Sequence, residues 1–265
     1  MADLLLENET ILRLCVFLGV LSIMAGLEVA SPRRRQEIPR LLRWSNNIAL
    51  VVLDALCLRL FFPVLAVGAA LAAEAQGWGL FNLIGAPFWL AALLAFLILD
   101  FAIYAQHVVF HHVPVLWRLH RMHHADLEID VTTGLRFHPF EIILSMAIKM
   151  VVVVAIGAPA IAVVLFEIVL NATSLFNHAN WHLPKPIDRW LRLFVVTPDM
   201  HRVHHSIRRE ETNSNFGFNL PWWDRLFGTY RGQPADGHDS MKIGIDRFRT
   251  RRDLWLDRML WQIFR

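Results

Sequence analysis

Long runs of apolar residues dominate the pattern of hydrophobic and polar positions along this 265-residue chain. The first run covers residues 11–30 and carries charges only near its ends, at Arg13 and Glu28. It is too long for a typical signal peptide and has no clear cleavage site, so we expect it to remain as a helix. Two further runs, residues 47–73 and 88–109, have the length that a transmembrane helix requires. The pattern therefore predicts three membrane-spanning helices in the first half of the chain.

A fourth apolar stretch, residues 141–177, is interrupted by the Gly-Ala-Pro sequence at residues 157–159. Each half is short for a complete crossing, so the stretch fits either a helical hairpin that dips into the membrane and returns or two complete spans. Residues 116–140 and the chain from residue 178 onward are polar, and we expect them to form a helical cap. We predict an all-α integral membrane protein with about four to five transmembrane or hairpin helices, in one domain over residues 1–265.

Composition and charge support a membrane protein and indicate its orientation. Hydrophobic residues make up 55% of the chain, which is too many for an ordinary soluble domain. Five arginines against one acid lie between residues 31 and 43, whereas residues 74–87 contain no lysine or arginine. Because cytoplasmic loops carry the excess of basic residues, we expect residues 31–43, the cap and the C-terminus in the cytoplasm. The arginines flank apolar helices, so the net charge of +3 indicates membrane orientation and not a nucleic-acid partner.

Histidines are concentrated near the polar segments, and twelve of the 13 lie between residues 107 and 205. A His-x-x-His-His pattern occurs at residues 120–124 and again at residues 201–205. On a helix, positions i, i+3 and i+4 share a face, so each copy is expected to direct three imidazoles toward one point. His107–His111 and His178–His182 add two i, i+4 pairs, the spacing that lets neighbouring helical turns hold one ion. A surface or interfacial role suits any one of these histidines, but the set predicts more than one metal ion.

Asp100 precedes the first histidine pair in the third predicted span. Asp100, Tyr104, His107 and His111 follow i, i+4, i+7 and i+11 spacing, so they project from one stripe of that helix. An acidic residue inside a span is a candidate functional residue. We predict that Asp100 accepts a hydrogen bond from a ligand imidazole, with a role in helix packing as the alternative.

In kind and in order, these motifs resemble those of the fatty acid hydroxylase/sterol desaturase superfamily of histidine-rich, integral-membrane di-iron oxygenases. The resemblance covers roughly residues 100–231 and is carried by an ordered series of motifs. They are the histidine pair at 107 and 111, Leu-Trp-Arg at 116–118 before the first His-x-x-His-His, Arg-Phe-His-Pro at 136–139, Asn-His-Ala-Asn at 177–180, Thr-Pro-Asp-Met at 197–200 before the second His-x-x-His-His, and the tail from Asn213 to Tyr230. Such an ordered series is highly specific.

The resemblance implies two bound iron ions, which zinc can replace on over-expression because Zn²⁺ follows Fe²⁺ in imidazole affinity. Carried over residue by residue, the metal ligands are His107, His111, His120, His123, His124, His178, His182, His201, His204 and His205. Four further residues are expected to contact and support the ligand side chains without binding the metal ions: Asp100, His112, His138 and Asn180. For His112 and His138, direct binding to a metal ion is the alternative. His238 lies outside every motif and is expected at the surface.

An all-imidazole ligand set leaves a two-metal core strongly cationic. Such a core suits oxygen binding and reduction at iron better than hydrolysis, although imidazole also binds zinc, copper and nickel. Together with the resemblance, this predicts an oxidoreductase that hydroxylates or desaturates a fatty acyl, sterol or related lipid with O₂ and two externally supplied electrons. The alternatives are a zinc-dependent membrane hydrolase and a non-catalytic metal-binding membrane protein.

The source of the two electrons is expected to be a separate protein. The chain contains neither a glycine-rich dinucleotide fingerprint after a strand nor a cysteine set for an iron–sulfur cluster. A ferredoxin or cytochrome with its reductase is therefore the expected donor. Arg118, Arg121, Arg202, Arg208 and Arg209 lie close in sequence to the metal ligands and are predicted to dock an acidic donor by complementary charge. The alternative is that these arginines contact lipid headgroups or form local ion pairs.

Overall fold

Helices account for all the regular secondary structure in the computed structural model, which describes residues 2–265. Two isolated β-bridges, Pro32–Trp181 and Ser206–Ile243, are the only β pairings in that part of the chain. This confirms the predicted all-α fold. The α-helices are α1 (Ala2–Glu7), α2 (Glu9–Ala30), α3 (Arg40–Phe61), α4 (Ala66–Gln76), α5 (Leu80–Leu83), α6 (Phe88–His112), α7 (Pro114–His124), α8 (Pro139–Ile156), α9 (Ala160–Asn177), α10 (Lys185–Leu191), α11 (Pro198–His204), α12 (Arg209–Thr212), α13 (Trp222–Leu226), α14 (Gly237–Ser240) and α15 (Leu256–Trp261). Over the same residues, 3₁₀ helices form at Val131–Leu135, Arg251–Leu254 and Gln262–Phe264.

Several segments are long and apolar enough to cross a membrane. They are Glu9–Ala30, Arg40–Leu83, Phe88–His112, Pro139–Ile156 and Ala160–Asn177. Large apolar side chains point outward from these segments, and Leu60 and Leu83 remain 80% and 77% exposed. Because an apolar surface of this extent is unfavourable in water, lipid must cover it. The protein is a multi-pass integral membrane protein.

The second of these segments is not one continuous helix. Residues 47–73 are predicted as a single span, but α3 begins earlier, at Arg40, and ends at Phe61. Pro63 follows two residues later and cannot donate a backbone hydrogen bond to the preceding turn, so the helix stops before it. The chain becomes helical again in α4, whose buried side chains are all alanine or valine. These small residues let α4 pack closely against α8 and α9.

Residues 141–177 consist mainly of two helices of span length, α8 and α9. Each has 18 residues and rises about 27 Å. The turn between them contains Gly157, whose φ of +66° lies in the left-handed region that favours glycine. A Cβ at Gly157 would lie 2.7 Å from the carbonyl oxygen of Trp78, so a larger residue does not fit there. The tip of this helix pair therefore packs against the turn that follows α4.

The cap comprises α7, the following segment up to α8, and residues 178–265, and a buried ion-pair network joins it to α3. Arg43 is 1% exposed, and its guanidinium donates to the two oxygens of Asp126 at 3.1 and 2.9 Å and also to Asp130. Burial alone would raise the pKa of Asp126, but Arg43 and Arg136 lower it below its ordinary value. The cap segment after the first His-x-x-His-His is thus held against the membrane helices.

Candidate metal centre

Nine histidines meet at the junction between the membrane helices and the cap. Two come from the end of α6, three from α7, one directly follows α9, and three come from α11 and the residue after it. They form two groups, with His107, His111, His120, His124 and His204 in the first and His123, His178, His201 and His205 in the second. Within each group, the candidate ligand nitrogens all lie within 4.8 Å of one another.

Each His-x-x-His-His copy contributes to both groups. In the first copy, His120 and His124 belong to the first group and His123 to the second. In the second copy, the arrangement is reversed, because His204 alone joins the first group. Successive helical residues point about 100° apart, so positions i+3 and i+4 lie on either side of position i and can face different centres. The prediction that one copy directs all three imidazoles toward one point is therefore wrong.

Distances between the imidazoles suit shared metal ions. The Nε2 atoms of His107 and His120 are 3.1 Å apart in the first group. In the second group, Nε2 of His178 lies 3.2 Å from Nε2 of His123 and 3.0 Å from Nε2 of His201. Two imidazole nitrogens that each lie about 2.0–2.1 Å from one ion are about 3 Å apart when they occupy adjacent ligand positions.

Backbone carbonyls fix the hydrogen position on four of the imidazoles. The Nδ1 atoms of His107, His123, His178 and His204 donate to the carbonyls of Phe216, Arg136, Ser174 and Ser214, respectively, at 2.7–3.2 Å. A carbonyl only accepts, so Nδ1 carries the hydrogen and Nε2 keeps its lone pair. That is the tautomer that binds a metal through Nε2.

Two side chains provide the same support for the first group. Glu141, in the first turn of α8, accepts from Nδ1 of His120 at 2.6 Å. Asn213 provides Oδ1 to Nδ1 of His111 at 3.2 Å. Neither residue is among those predicted from the sequence to support the ligands. A usable signal was present for Glu141, because it is an acid at the start of an apolar helix and close to the Arg-Phe-His-Pro motif.

Burial and crowding keep six histidines of the cap neutral. Burial lowers the pKa of His178 to about 4. For five further histidines, burial and then the neighbouring imidazoles lower the pKa well below its ordinary value. These are His123, His124, His201, His204 and His205. Neutral imidazole is the form that binds a metal ion.

Several of these nitrogens have no protein partner. Nε2 of His124, Nε2 of His204 and both ring nitrogens of His205 are buried without a hydrogen bond among residues 2–265. Buried polar atoms in proteins are almost always hydrogen-bonded, so these need another partner. Metal ions at the two groups would provide it. The residues present therefore fit a site for two metal ions.

Two cavities reach this centre from different sides. An apolar cavity of about 340 Å³ lies among the membrane helices, and His107 and His120 form part of its wall. A second cavity, of about 480 Å³, lies on the cap side and is lined by His111, Trp117 and several polar residues. The first group of histidines is thus accessible both from the membrane interior and from the cap.

Comparison with known proteins identifies the family. The sequence matches the family model described as Fatty acid hydroxylase over residues 92–229, which is more than half of the chain. The chain belongs to the fatty acid hydroxylase family. It is 32% identical to the ornithine lipid hydroxylase OlsE of Rhizobium tropici over 160 residues, which are 60% of this chain and 46% of that protein. It is 28% identical to the alkylglycerol monooxygenase of Homo sapiens over 144 residues, which are 52% of this chain and 30% of that protein.

The family match includes every histidine of the two groups. The chain spans less than half the length of these two curated relatives. No solved structure matches the chain.

In this fatty acid hydroxylase family member, His182 is the one predicted ligand that lies outside both groups. Its side chain is exposed, and its backbone N–H donates to the Ser31 carbonyl at 2.8 Å. Because α9 ends at Asn177, residues 178–182 do not form the helical turn that the i, i+4 prediction assumed. The structure therefore does not bring His182 to either group.

Asp100 does not contact a ligand imidazole in the described structure. Its Oδ2 accepts from the indole Nε1 of Trp223 at 2.8 Å. Asp100 lies seven residues before His107, which is about 10 Å along the axis of α6, and the Nδ1 of His107 has the Phe216 carbonyl as its acceptor. The predicted hydrogen bond to an imidazole is thus replaced by one that joins α6 to α13.

The other three residues predicted to support the ligands also lie apart from them within residues 2–265. His112 is exposed. His138 caps α8, because its Nδ1 accepts from the backbone N–H of Phe140 at 3.2 Å. Asn180 accepts from the backbone N–H of Arg34 at 3.0 Å and donates to the carbonyl of the same residue at 2.7 Å. His138 thus caps a helix and Asn180 anchors a loop, whereas Nδ1 of His112 donates to the carbonyl of Val108, one turn earlier on α6.

Some residues expected at the surface are buried. His238 is 6% exposed, and its Nε2 lies 3.7 Å from a carboxylate oxygen of Asp199. Arg202 pairs with the same carboxylate, and Arg121 donates to the carbonyl of Gln262. Neither arginine is free to contact a redox partner. A docking surface can therefore include only the exposed members of the predicted set.

Proposed function

We propose that this protein is a membrane-bound di-iron hydroxylase that oxidises a C–H bond of a lipid with O₂. The observation that carries the proposal is the apolar cavity, because it provides space for part of a lipid directly against His107 and His120. Cavities of this size are typical of sites for small organic ligands. The relatives named as a lipid hydroxylase and an alkylglycerol monooxygenase support the same class of reaction.

The nine grouped histidines would hold two iron ions, and these ions would supply the reductive activation of O₂. In the overall reaction, one oxygen atom enters the C–H bond and the other leaves as water, with the consumption of two electrons and two protons. Glu141 is the only carboxylate that contacts a grouped imidazole among residues 2–265. The protein therefore adds little negative charge beside the histidines, so the ions that they would hold would keep a strong positive charge, which suits the reduction of O₂.

We place electron entry on the cap side, with the cap in the cytoplasm. The cap-side cavity reaches His111 and is bordered by Arg209 and Arg247, and the ring of Trp117 lies 4.9 Å from the ring of His111. Arg209 and Arg118 are exposed. An acidic ferredoxin or cytochrome would be attracted to such a basic surface, and the arginine-rich loop at residues 31–43 supports a cytoplasmic cap.

Lipid analysis under isotopically labelled O₂ tests the proposed function. Cells that express the chain with a suitable donor are expected to contain a lipid that has gained one labelled oxygen atom. His204→Ala removes a histidine of the first group and should abolish the labelled product. A product that takes its new oxygen from water, as a hydrolase would produce, or no product at all would contradict the proposal.

A further inference from the structure

Three charged residues of the membrane helices meet in the wall of the apolar cavity. Glu167 of α9 is 3% exposed; one of its oxygens lies 2.6 Å from Nζ of Lys149 in α8, and the other lies 3.0 Å from Nη1 of Arg13 in α2. Arg13 also contacts Glu9 at 3.1 Å. Arg13, Lys149 and Glu167, called here the charged triad, all line the cavity. The proposed oxidation chemistry does not use them.

Polar side chains connect the charged triad with the metal centre along two helices. On α8, Glu141, Ser145 and Lys149 follow one another at intervals of four residues and line the cavity together. On α9, Glu167 and Asn171 have the same spacing and line it as well. Residues four apart share one face of a helix, so each set forms a continuous polar stripe. Lys149 lies about 12 Å along the axis of α8 from Glu141, which contacts a ligand imidazole.

The remaining helices contribute mostly apolar side chains to the same cavity. Phe17, Leu58, Ile103 and Phe110 are examples. The cavity therefore has an apolar side and a polar side. A pure hydrocarbon would cover the polar side without making hydrogen bonds, and this costs free energy. An occupant with both a hydrocarbon chain and a polar group matches the two sides.

The hydrogen-bonding capacity of the charged triad defines the polar group that it can bind. Both oxygens of Glu167 are already in contact with cations. Lys149 and Arg13 have more donor hydrogens than these contacts use, because an ammonium has three and a guanidinium has five. The charged triad therefore offers donors, and its complement is an oxygen that accepts.

We propose that the charged triad binds an oxygen-bearing group of the lipid substrate, such as a hydroxyl, ether or carbonyl oxygen, and thereby determines which carbon faces the metal centre. With the oxygen at Lys149, the hydrocarbon chain extends along the cavity toward His120. This inference rests on the proposed function, because only that function makes the lipid in the cavity a substrate. Binding itself needs no turnover, so it can be measured separately.

Binding of tritiated hexadecan-1-ol to the purified full-length protein, with unlabelled hexadecane as competitor, tests the proposal. The two probes have the same chain and differ by one oxygen. The wild-type protein is expected to bind the alcohol about tenfold more tightly, as a hydrogen bond from a charged donor provides. Lys149→Met keeps a long side chain without its charge, so it should lose this preference while its affinity for hexadecane stays the same. Lys149→Arg should retain the preference.

The matched control is Lys185→Met on the exposed surface of the cap, which should behave like the wild-type protein. Equal affinity of the wild-type protein for the two probes would overturn the proposal, whether or not Lys149→Met folds. Equal weakening of both probes in a folded Lys149→Met variant would overturn it as well. Because neither probe has to be oxidised, a negative result leaves the proposed hydroxylase activity standing. An inactive enzyme likewise leaves the binding result valid.

Discussion

At the scale of single residues, the centre depends on which nitrogen of each imidazole carries the hydrogen. Most of the acceptors at Nδ1 are backbone carbonyls, which no side-chain substitution removes directly. The exceptions are Glu141, which contacts His120, and Asn213, which contacts His111. Glu141 differs from the others in its charge, which makes the imidazole a stronger ligand. It is therefore the most informative position for substitution.

Glu141→Gln is expected to weaken metal binding while leaving the fold intact. The amide oxygen still accepts from Nδ1 of His120 but lacks the charge, and loss of such a partner lowers metal affinity or activity roughly 10- to 100-fold. Metal retention during dialysis against a chelator measures the effect. Glu37→Gln, at an exposed acid in the loop before α3, is the control and should match the wild-type protein. Full metal retention in Glu141→Gln would show that the charge does not matter.

His178→Ala and His182→Ala are expected to differ sharply, although the two residues are only four positions apart. His178 belongs to the second group, so its loss should reduce the metal content by about one ion per chain. His182 is exposed, so its loss should leave the metal content unchanged. Metal analysis of both variants, side by side, provides the comparison. A reduced metal content in His182→Ala would identify His182 as a ligand.

Spacing within one helix is what made the centre predictable. The i, i+3 and i+4 pattern is a local property, and nine of the ten predicted histidines do meet. His182 lies outside both groups because α9 ends at Asn177, which the spacing pattern does not reveal. Asp100 contacts Trp223 and not a ligand imidazole, and a local pattern could not show this because Trp223 lies 123 residues further along the chain. Glu141 was missed for the same reason, since its contact depends on how α8 packs beside α7.

At the scale of elements, the site is built on short helices supported by the membrane helices. α7 and α11 have only 11 and 7 residues, and each begins with a proline, whose fixed φ suits a helix start. Helices this short are marginal in isolation, so they depend on burial. Met122, Met200 and Val203 are accordingly 0% exposed. The membrane spans were predictable from apolar runs, whereas the break between α3 and α4 follows from Pro63, whose effect on the backbone a hydropathy pattern does not register.

Gly157→Ala is expected to destabilise the tip of the α8–α9 pair. A Cβ would be strained at a φ of +66° and would lie 2.7 Å from the Trp78 carbonyl oxygen, so the cost should be about 1–3 kcal/mol. Thermal unfolding in detergent measures it. Gly19→Ala is the matched control, because its new Cβ meets no atom within 4 Å apart from the neighbouring residues of its own helix. Its stability should stay within about 1 kcal/mol of the wild-type protein. Equal melting temperatures for both variants would contradict the close approach between Gly157 and the Trp78 carbonyl oxygen.

At the scale of the whole molecule, the two ends of the membrane helices differ in chemistry. The cap end holds the metal ligands and the arginine-rich loop. The other end holds the loop after α4 and the Gly157 turn, which contact each other. Because the two ends differ, the proposed orientation can be tested by labelling a residue at each end from outside the cell.

Single cysteines on the two ends are expected to label from opposite sides of the membrane. In a background without Cys15 and Cys57, Gln76→Cys should react with an impermeant maleimide in intact cells, whereas Ser240→Cys should react only after lysis. Both native positions are exposed, so access does not limit either reaction. The reverse pattern would place the cap outside the cell and would rule out a cytoplasmic electron donor.

The central claim is that the two histidine groups each bind one metal ion, and metal analysis of gently purified protein tests it most directly. The expected result is about two metal ions per chain, iron in the active protein and partly zinc after over-expression. His204→Ala, which alters only the first group, should retain about one ion in the second group. Fewer than about one metal ion per chain in the wild-type protein would contradict the account.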